Sequence, residues 1–320
     1  MKTLAPIILF VYNRPWHTEQ TLLALSKNKL AKESTLYIYA DGAQENTKEV
    51  DIQKIEKVRA LIKSKQWCKE VNIVERTKNW GLAENIVDGV TKLVKEYGKI
   101  IVLEDDIVTS NNFLKYMNDA LLHFKGTKQV MNIGGFWPET NPINSDFFLI
   151  QYVNPWGWAT WSDRWALFNK DSSYLINEIK SKNQIKKFNV DGTSDYAQFL
   201  IKNCEGEKKT WATNWYATVF TNNGLSLYPS KSMVRNIGFD GSGEHYTKVK
   251  KNEEDIFYVH QLSHNTEPDF TKIQPIKEKK QARKQLKQLF KYGKNSTLLY
   301  RIKSDLYLLK GQILSSKTKE

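Results

Sequence analysis

The feature that most constrains this 320-residue chain is an alternation of short, unbroken apolar runs with longer amphipathic stretches. Pro6 to Tyr12, Thr35 to Ala40, Val71 to Glu75 and Ile100 to Leu103 are apolar or β-branched runs of the kind found in strands covered on both faces. Between them Trp16 to Lys29, Thr47 to Ser64 and Leu82 to Tyr97 read as helices, the last with Ile86, Val90, Leu93, Val94 and Tyr97 on one side. A helix over 111–124 and a strand from Val130 to Gly134 follow. Strands separated by such helices build βαβ units, so the expected fold is α/β, a Rossmann-like, mostly parallel sheet flanked by helices. Ligands of open α/β sheets bind beyond the carboxyl ends of the strands.

Composition excludes several other classes. With 40% hydrophobic and 26% charged residues, the chain has the balance of a folded protein rather than a disordered, collagenous or membrane-embedded one. No apolar stretch reaches the roughly 18–20 residues that span a bilayer. Met1 to Tyr12 superficially resembles a signal peptide, but Pro6 interrupts it and Asn13-Arg14-Pro15 follows in place of a small-x-small cleavage site. Cys68 and Cys204 form neither a disulfide framework nor a CxxC pair, so reduced thiols in a cytosolic setting are expected.

The net charge of +13 is unevenly placed. Of 48 Lys/Arg and 35 Asp/Glu, 13 and 3 lie from Lys277 onward, which leaves 35 and 32 in a nearly neutral body. A basic terminal segment points to one localised anionic partner, an anionic membrane surface rather than nucleic acid.

Residues just past the expected strands are polar in a consistent way. Asn13-Arg14 follows the first, Asp41-Gly42 the second, Lys78-Asn79-Trp80-Gly81 the third, and Glu104-Asp105-Asp106 the fourth. Three adjacent carboxylates in a cleft repel one another unless a cation compensates. Mg²⁺ or Mn²⁺, bound through oxygen and bridging to substrate phosphates, would do so. Because side chains alternate along a strand, one or two of the three are expected to face the ligand, Asp106 first. A solvated acidic turn is the plainer alternative.

Ile101 to Val108 around Glu104-Asp105-Asp106, Phe113-Leu114-Lys115-Tyr116-Met117, Pro6 to Pro15, Asp41-Gly42, Asn154 to Trp161 and Trp211-Ala212 together resemble nucleotide-sugar glycosyltransferases of the GT-A fold. The pattern, from about Ala5 to His245, looks closest to bacterial family 2-like transferases of surface-polysaccharide synthesis and is similar to N-acetylglucosaminyltransferase I. The resemblance implies that Asp106, with Glu104, holds a metal on the donor diphosphate and that Asp105 lies near the ribose. It implies that Arg14 and Asp41 contact the nucleoside, with Asn79, Gly81 and Asn85 on the loop and helix start beneath it. A surface ion pair for Arg14 and a turn-forming role for Asp41 remain open.

An inverting transfer also needs a carboxylate to deprotonate the acceptor hydroxyl. The stretch where related enzymes carry it, Lys208 to Trp215, has no acid. Asp195 is the first candidate base, Asp240 the second and Glu207 a third, with a helix cap the competing role for Asp195. Trp156, Trp158 and Trp211 are expected to shape the sugar or acceptor pocket by stacking, whereas Trp161 and Trp165, one helical turn apart, are expected in the core. His245, after Gly241-Ser242-Gly243, can meet the metal or diphosphate on loop closure, or be structural.

In the tail, Leu286, Leu289 and Phe290, then Leu298, Ile302, Leu306, Leu309 and Ile313, mark amphipathic helices suited to an anionic bilayer, or a solvated basic extension. The expected organisation is a catalytic domain over 1–250, with a nucleotide-binding half over 1–135 and an acceptor half over 136–250, then a linker and basic helices over 251–320. The function read from these residues is an inverting, metal-dependent glycosyltransferase. It would move a sugar from a nucleotide-sugar donor, with UDP the leading nucleotide, to a glycan or lipid-linked acceptor at the inner face of the plasma membrane. A sugar nucleotidyltransferase and a carbohydrate-binding relative without turnover are the alternatives; the first would want a glycine-rich phosphate loop where Asn13-Arg14-Pro15-Trp16 stands.

Overall fold

A computed structural model describes residues 3–138, 143–240, 242, 262–263, 268–273 and 275–293. The strands are β1 (Ile7–Val11), β2 (Thr35–Ala40), β3 (Glu70–Glu75), β4 (Lys99–Glu104), β5 (Ile107–Thr109), β6 (Val130–Gly134), β7 (Phe147–Ile150), β8 (Trp158–Trp161), β9 (Leu225–Pro229) and β10 (Val234–Asn236). The helices are α1 (Pro15–Ser26), α2 (Glu49–Lys63), α3 (Leu82–Tyr97), α4 (Phe113–His123), α5 (Ser162–Trp165), α6 (Ser172–Ser181), α7 (Ile185–Phe188), α8 (Tyr196–Cys204), α9 (Trp211–Thr221) and α10 (Lys280–Gly293).

Eight strands form one sheet in the order β3-β2-β1-β4-β8-β6-β9-β7. The β3-β2-β1-β4 half is wholly parallel, with Ile7 opposite Leu36 on one side and Ile101 on the other. β8 then runs antiparallel between β4 and β6, and β9 pairs parallel with β6 and antiparallel with β7. The architecture is the expected Rossmann-like α/β sheet, its second half more mixed than the apolar runs alone implied.

Period-two alternation distributes each strand between two cores. Ile7, Leu9 and Val11 of β1 meet Leu22 and Leu25 of α1, Val58 of α2 and Phe113 and Met117 of α4 on one face. Ile8 and Phe10 meet Ile86, Val90 and Leu93 of α3 on the other, where α6, α8 and α9 also pack. α3 fits its place because its apolar stripe is continuous, and because Gly81 takes a left-handed φ of 72° to turn the chain into it.

The tryptophan-rich middle differs from expectation. Trp158 to Trp161 form a strand, so their side chains alternate: Trp161 joins the α4 face, and Trp158 joins Trp165 on the α9 face. Trp161 and Trp165 are both core, but in opposite layers. The 251–320 stretch contributes Phe270 and Ile273 to one core and Ala282, Leu286 and Leu289 of α10 to the other. The apolar face of α10 is therefore consumed by the protein rather than presented to lipid. The Leu298 to Ile313 stripe and His245 lie outside the described residues. No helix among the described residues is long and apolar enough to cross a membrane.

A small antiparallel ribbon positions the site. β5 follows directly on Glu104-Asp105-Asp106 and pairs with β10, Ile107 opposite Asn236. That pairing lays the chain after Asn236 over the carboxylates, where the N–H of Ile237 donates to the carbonyl of Asp106 at 2.9 Å.

Candidate active site

β1 ends at Val11, and Pro15 opens α1 at its first turn, so Arg14 is held at the helix entrance with its side chain free to cross the sheet end. Its guanidinium forks onto Asp105: Nε donates to Oδ2 at 3.1 Å and Nη2 to Oδ1. Nη2 also donates to Oδ2 of Asp106 at 3.0 Å. Oγ1 of Thr21 anchors the turn by donating to the carbonyl of Asp105 at 2.8 Å. The surface ion pair considered for Arg14 is excluded, because its side chain is only 15% exposed and that of Asp105 7%.

One guanidinium faces three carboxylates here. Burial, with the neighbouring carboxylates, pushes the pKa of Glu104 up to about 8. Burial also pushes Asp105 up, although Arg14 pulls the other way. Burial works against the charge on Arg14, but Asp105 and Asp106 more than offset it and hold the guanidinium protonated. The cluster therefore retains an excess of negative charge that a further cation would relieve.

The residues fit a hard divalent ion in one specific manner. Among the described residues no group of three or more His, Cys, Asp or Glu side chains converges on a metal position. Asp106, at the cleft wall with Oδ2 on Arg14, supplies oxygen donors of the kind Mg²⁺ or Mn²⁺ takes together with substrate phosphates and water.

Asp41 takes the turn-forming role left open for it. Oδ1 of Asp41 accepts from the backbone N–H of Gly42 and of Trp80, both at 2.9 Å, and Oδ2 accepts from Gly81 at 3.0 Å. Nδ2 of Asn79 donates to the carbonyl of Gly42 at 2.9 Å. Asp41 thus ties the β2 and β3 loops together through backbone amides while lining the cleft. Oδ1 of Asn85 accepts from Nε of Arg76 at 3.3 Å. Sequence reasoning missed Arg76, which pairs with Asp88 and stacks 3.7 Å over the Trp80 ring. The only local signal was a lone arginine one residue past a strand.

These loops bound one cleft of about 910 Å³. Arg14, Asp41, Asn79, Gly81, Asn85 and Glu104 to Asp106 all line it. Trp156 and Trp211 also line it, Trp156 braced edge-on by Phe136 and Phe239. Trp158 does not: it is 1% exposed and stacks beneath Trp211 at 5.4 Å between ring centres, because the β8 pleat turns it inward. Its expected role at a sugar pocket is replaced by one in the core under that pocket.

None of the three candidate bases is in the cleft lining. Asp195 is exposed at the start of α8, and Glu207 is exposed on the turn that follows it. Asp240 hangs on the segment that covers Asp106, with Oδ2 3.1 Å from Nε2 of His17 and Oδ1 accepting from the backbone N–H of Ser242 at 2.9 Å. Burial opposes its ionisation, but these Ser242 bonds and His17 hold it below the usual carboxylate range.

No family model and no curated protein matches the chain. Among solved structures, TarS of S. aureus aligns at 17% identity and a TM-score of 0.32, over 53% of this chain and 29% of that one. A UDP-glucose pyrophosphorylase complexed with UDP-glucose aligns at 9% identity and a TM-score of 0.38, over 72% of this chain and 93% of that one. The chain thus spans less than a third of TarS, and likenesses this distant assign no chemistry.

Proposed function

We propose that the chain is a glycosyltransferase that moves a sugar from a nucleotide-sugar donor, with UDP the leading nucleotide, to a hydroxyl acceptor. The observation that carries the reading is the placement of Glu104, Asp105 and Asp106 at the carboxyl end of the parallel half-sheet, in a cleft shared with Arg14 and the Asp41 loop. That is where open α/β sheets bind ligands.

In this reading Asp106 and Glu104 would hold Mn²⁺ or Mg²⁺, which when bound neutralises the charge that develops on the departing diphosphate. Arg14 fixes the carboxylates of Asp105 and Asp106 in orientation. Asp41, through Gly42, Trp80 and Gly81, keeps the nucleoside side of the cleft rigid before the donor arrives, which lowers the ordering cost of binding. Asp240 is the better-placed base, since it remains ionised at neutral pH and rides on the segment above Asp106.

A second reading is favoured by one observation. The carboxylates that line the cleft are Asp41, Asp51 and Glu104 to Asp106, and the Lys208 to Trp215 stretch contributes Lys208 and Lys209 to the lining but no acid. A carbohydrate-binding module without turnover would look the same. Incubation with a panel of UDP-sugars and Mn²⁺ separates the two. UDP release that disappears in Asp106→Asn and falls in Asp240→Asn supports the transferase, whereas donor binding without any release supports the module.

A further inference from the structure

We propose that Lys208 and Lys209 in the cleft wall form a recognition site for the phosphate group of a phosphate-bearing acceptor. This rests on the reading that the donor is held in the cleft at Asp106.

The cleft is lined by charges of both signs. Glu104, Asp105 and Asp106 share its wall with Lys208 and Lys209, and with Lys48 of the loop before α2. Lys208 and Lys209 are exposed, and among the described residues neither is paired with a carboxylate. They are nevertheless carried on a fixed turn between α8 and α9. The N–H groups of Glu207 and Lys208 donate to the carbonyl of Lys202, and the N–H of Thr210 donates to Oδ1 of Asn203 at 3.1 Å. Nδ2 of Asn203 answers by donating to the carbonyl of Thr210 at 3.1 Å and to Oδ1 of Asn214 at 2.9 Å. The backbone that carries the two ammonium groups is thus held at both ends, and Nζ of Lys208 lies 5.0 Å over the Phe199 ring.

Beneath the lysines the wall is aromatic. Tyr196 packs on Phe199 and on Phe290 of α10, and its hydroxyl meets that of Tyr152 at 2.9 Å. On α10, which supplies Phe290 to this wall, Lys284, Lys287 and Lys291 are exposed at helical spacing. An aromatic face suits a sugar ring or an alkyl chain, and adjacent ammonium groups suit a phosphate ester. A phosphate is repelled by the carboxylates unless a metal intervenes, so an acceptor phosphate is favoured beside the two ammonium groups.

The phosphate can belong to a soluble phosphosugar or to a lipid headgroup, and two arms tell them apart. The full chain, saturated with UDP and Mn²⁺, is titrated with glucose 6-phosphate and with glucose, and is separately sedimented with vesicles of phosphatidylglycerol and phosphatidylcholine. The expected result is preference for the phosphate ester or for the anionic vesicles, weakened at least about fivefold by Lys208→Gln with Lys209→Gln and by raised salt. Replacement of both lysines by arginine restores it. Retention of glucose 6-phosphate identifies the soluble source, and sedimentation without it identifies the headgroup. If neither probe distinguishes the native chain from the glutamine variant while UDP still binds, the proposal is overturned. If UDP itself fails to bind, the donor reading fails instead, and the same phosphate titration without UDP decides the lysine site alone.

Discussion

Gly238 lies against Asp106 so closely that a methyl group on it would overlap Oδ2 of that carboxylate and stand 3.0 Å from Nη1 of Arg14. The segment after β10 is therefore a fitted cover for the Arg14–Asp106 pair. Gly238→Ala is expected to displace either the cover or the carboxylate, at an overpacking cost of about 1–3 kcal/mol. Calorimetry should show Mn²⁺-dependent UDP binding weakened by about tenfold or more, and an unaltered affinity would show that the cover is not part of the site.

Arg14 supplies the internal countercharge for three carboxylates, and its removal leaves them uncompensated. Arg14→Met is expected to destabilise the metal-free protein by about 3–5 kcal/mol, the usual cost of breaking a buried pair. Added Mn²⁺ should recover part of the lost melting temperature, because the ion can relieve the same repulsion. A melting temperature equal to that of the native chain, with or without Mn²⁺, would contradict the electrostatic role given to Arg14.

Asp88, on α3, titrates below its ordinary value of 3.8, because bonds from Arg76 and Lys92 outweigh the opposing effect of burial. A carboxylate depressed in the folded state contributes stability that is complete above its unfolded value and disappears as the pH falls through the folded one. Asp88→Asn should therefore cost about 1 kcal/mol at neutral pH, with the difference from the native chain shrinking as the pH falls below 3.8 and through the depressed folded value. Urea melts at pH 7, 4 and 2.5 measure this, and a constant difference at all three would refute it.

Burial pushes the Cys68 thiol up to about 12, whereas Cys204 is exposed. A thiolate-seeking reagent at pH 8 is expected to titrate one thiol in the folded chain, none in Cys204→Ser and two in denaturant. Rapid reaction at Cys68 without unfolding would mean that the sheet face beneath α2 opens locally.

The parallel half of the fold was legible in the sequence almost residue for residue. β1 and β4 are buried apolar runs, β3 is a shorter half-buried edge run broken by Asn72, and α3 is bounded by Gly81 and Gly98, so local pattern and tertiary need coincide there. The core position of Trp158 was not legible, because four residues carry too little periodicity to show which way each side chain faces; only their pairing with β4 and β6 settles the matter. In the site, the chain order indicated which residues would gather at the sheet end, but not whom each would bind. Asp41 is held by amides about forty positions away, and Arg14 is paired with carboxylates about ninety positions away, contacts that no local spacing encodes. The tail shows the same limit, since the apolar stripe of α10 reads equally well as a lipid face or as a packing face until its partners are seen.

Titration of UDP into the chain by calorimetry, with and without Mn²⁺ and in native and Asp106→Asn forms, bears most directly on the account. The expected result is a binding heat that requires both Mn²⁺ and the Asp106 carboxylate. Equal UDP affinity in the native and Asp106→Asn chains, or no UDP binding in either, would contradict it.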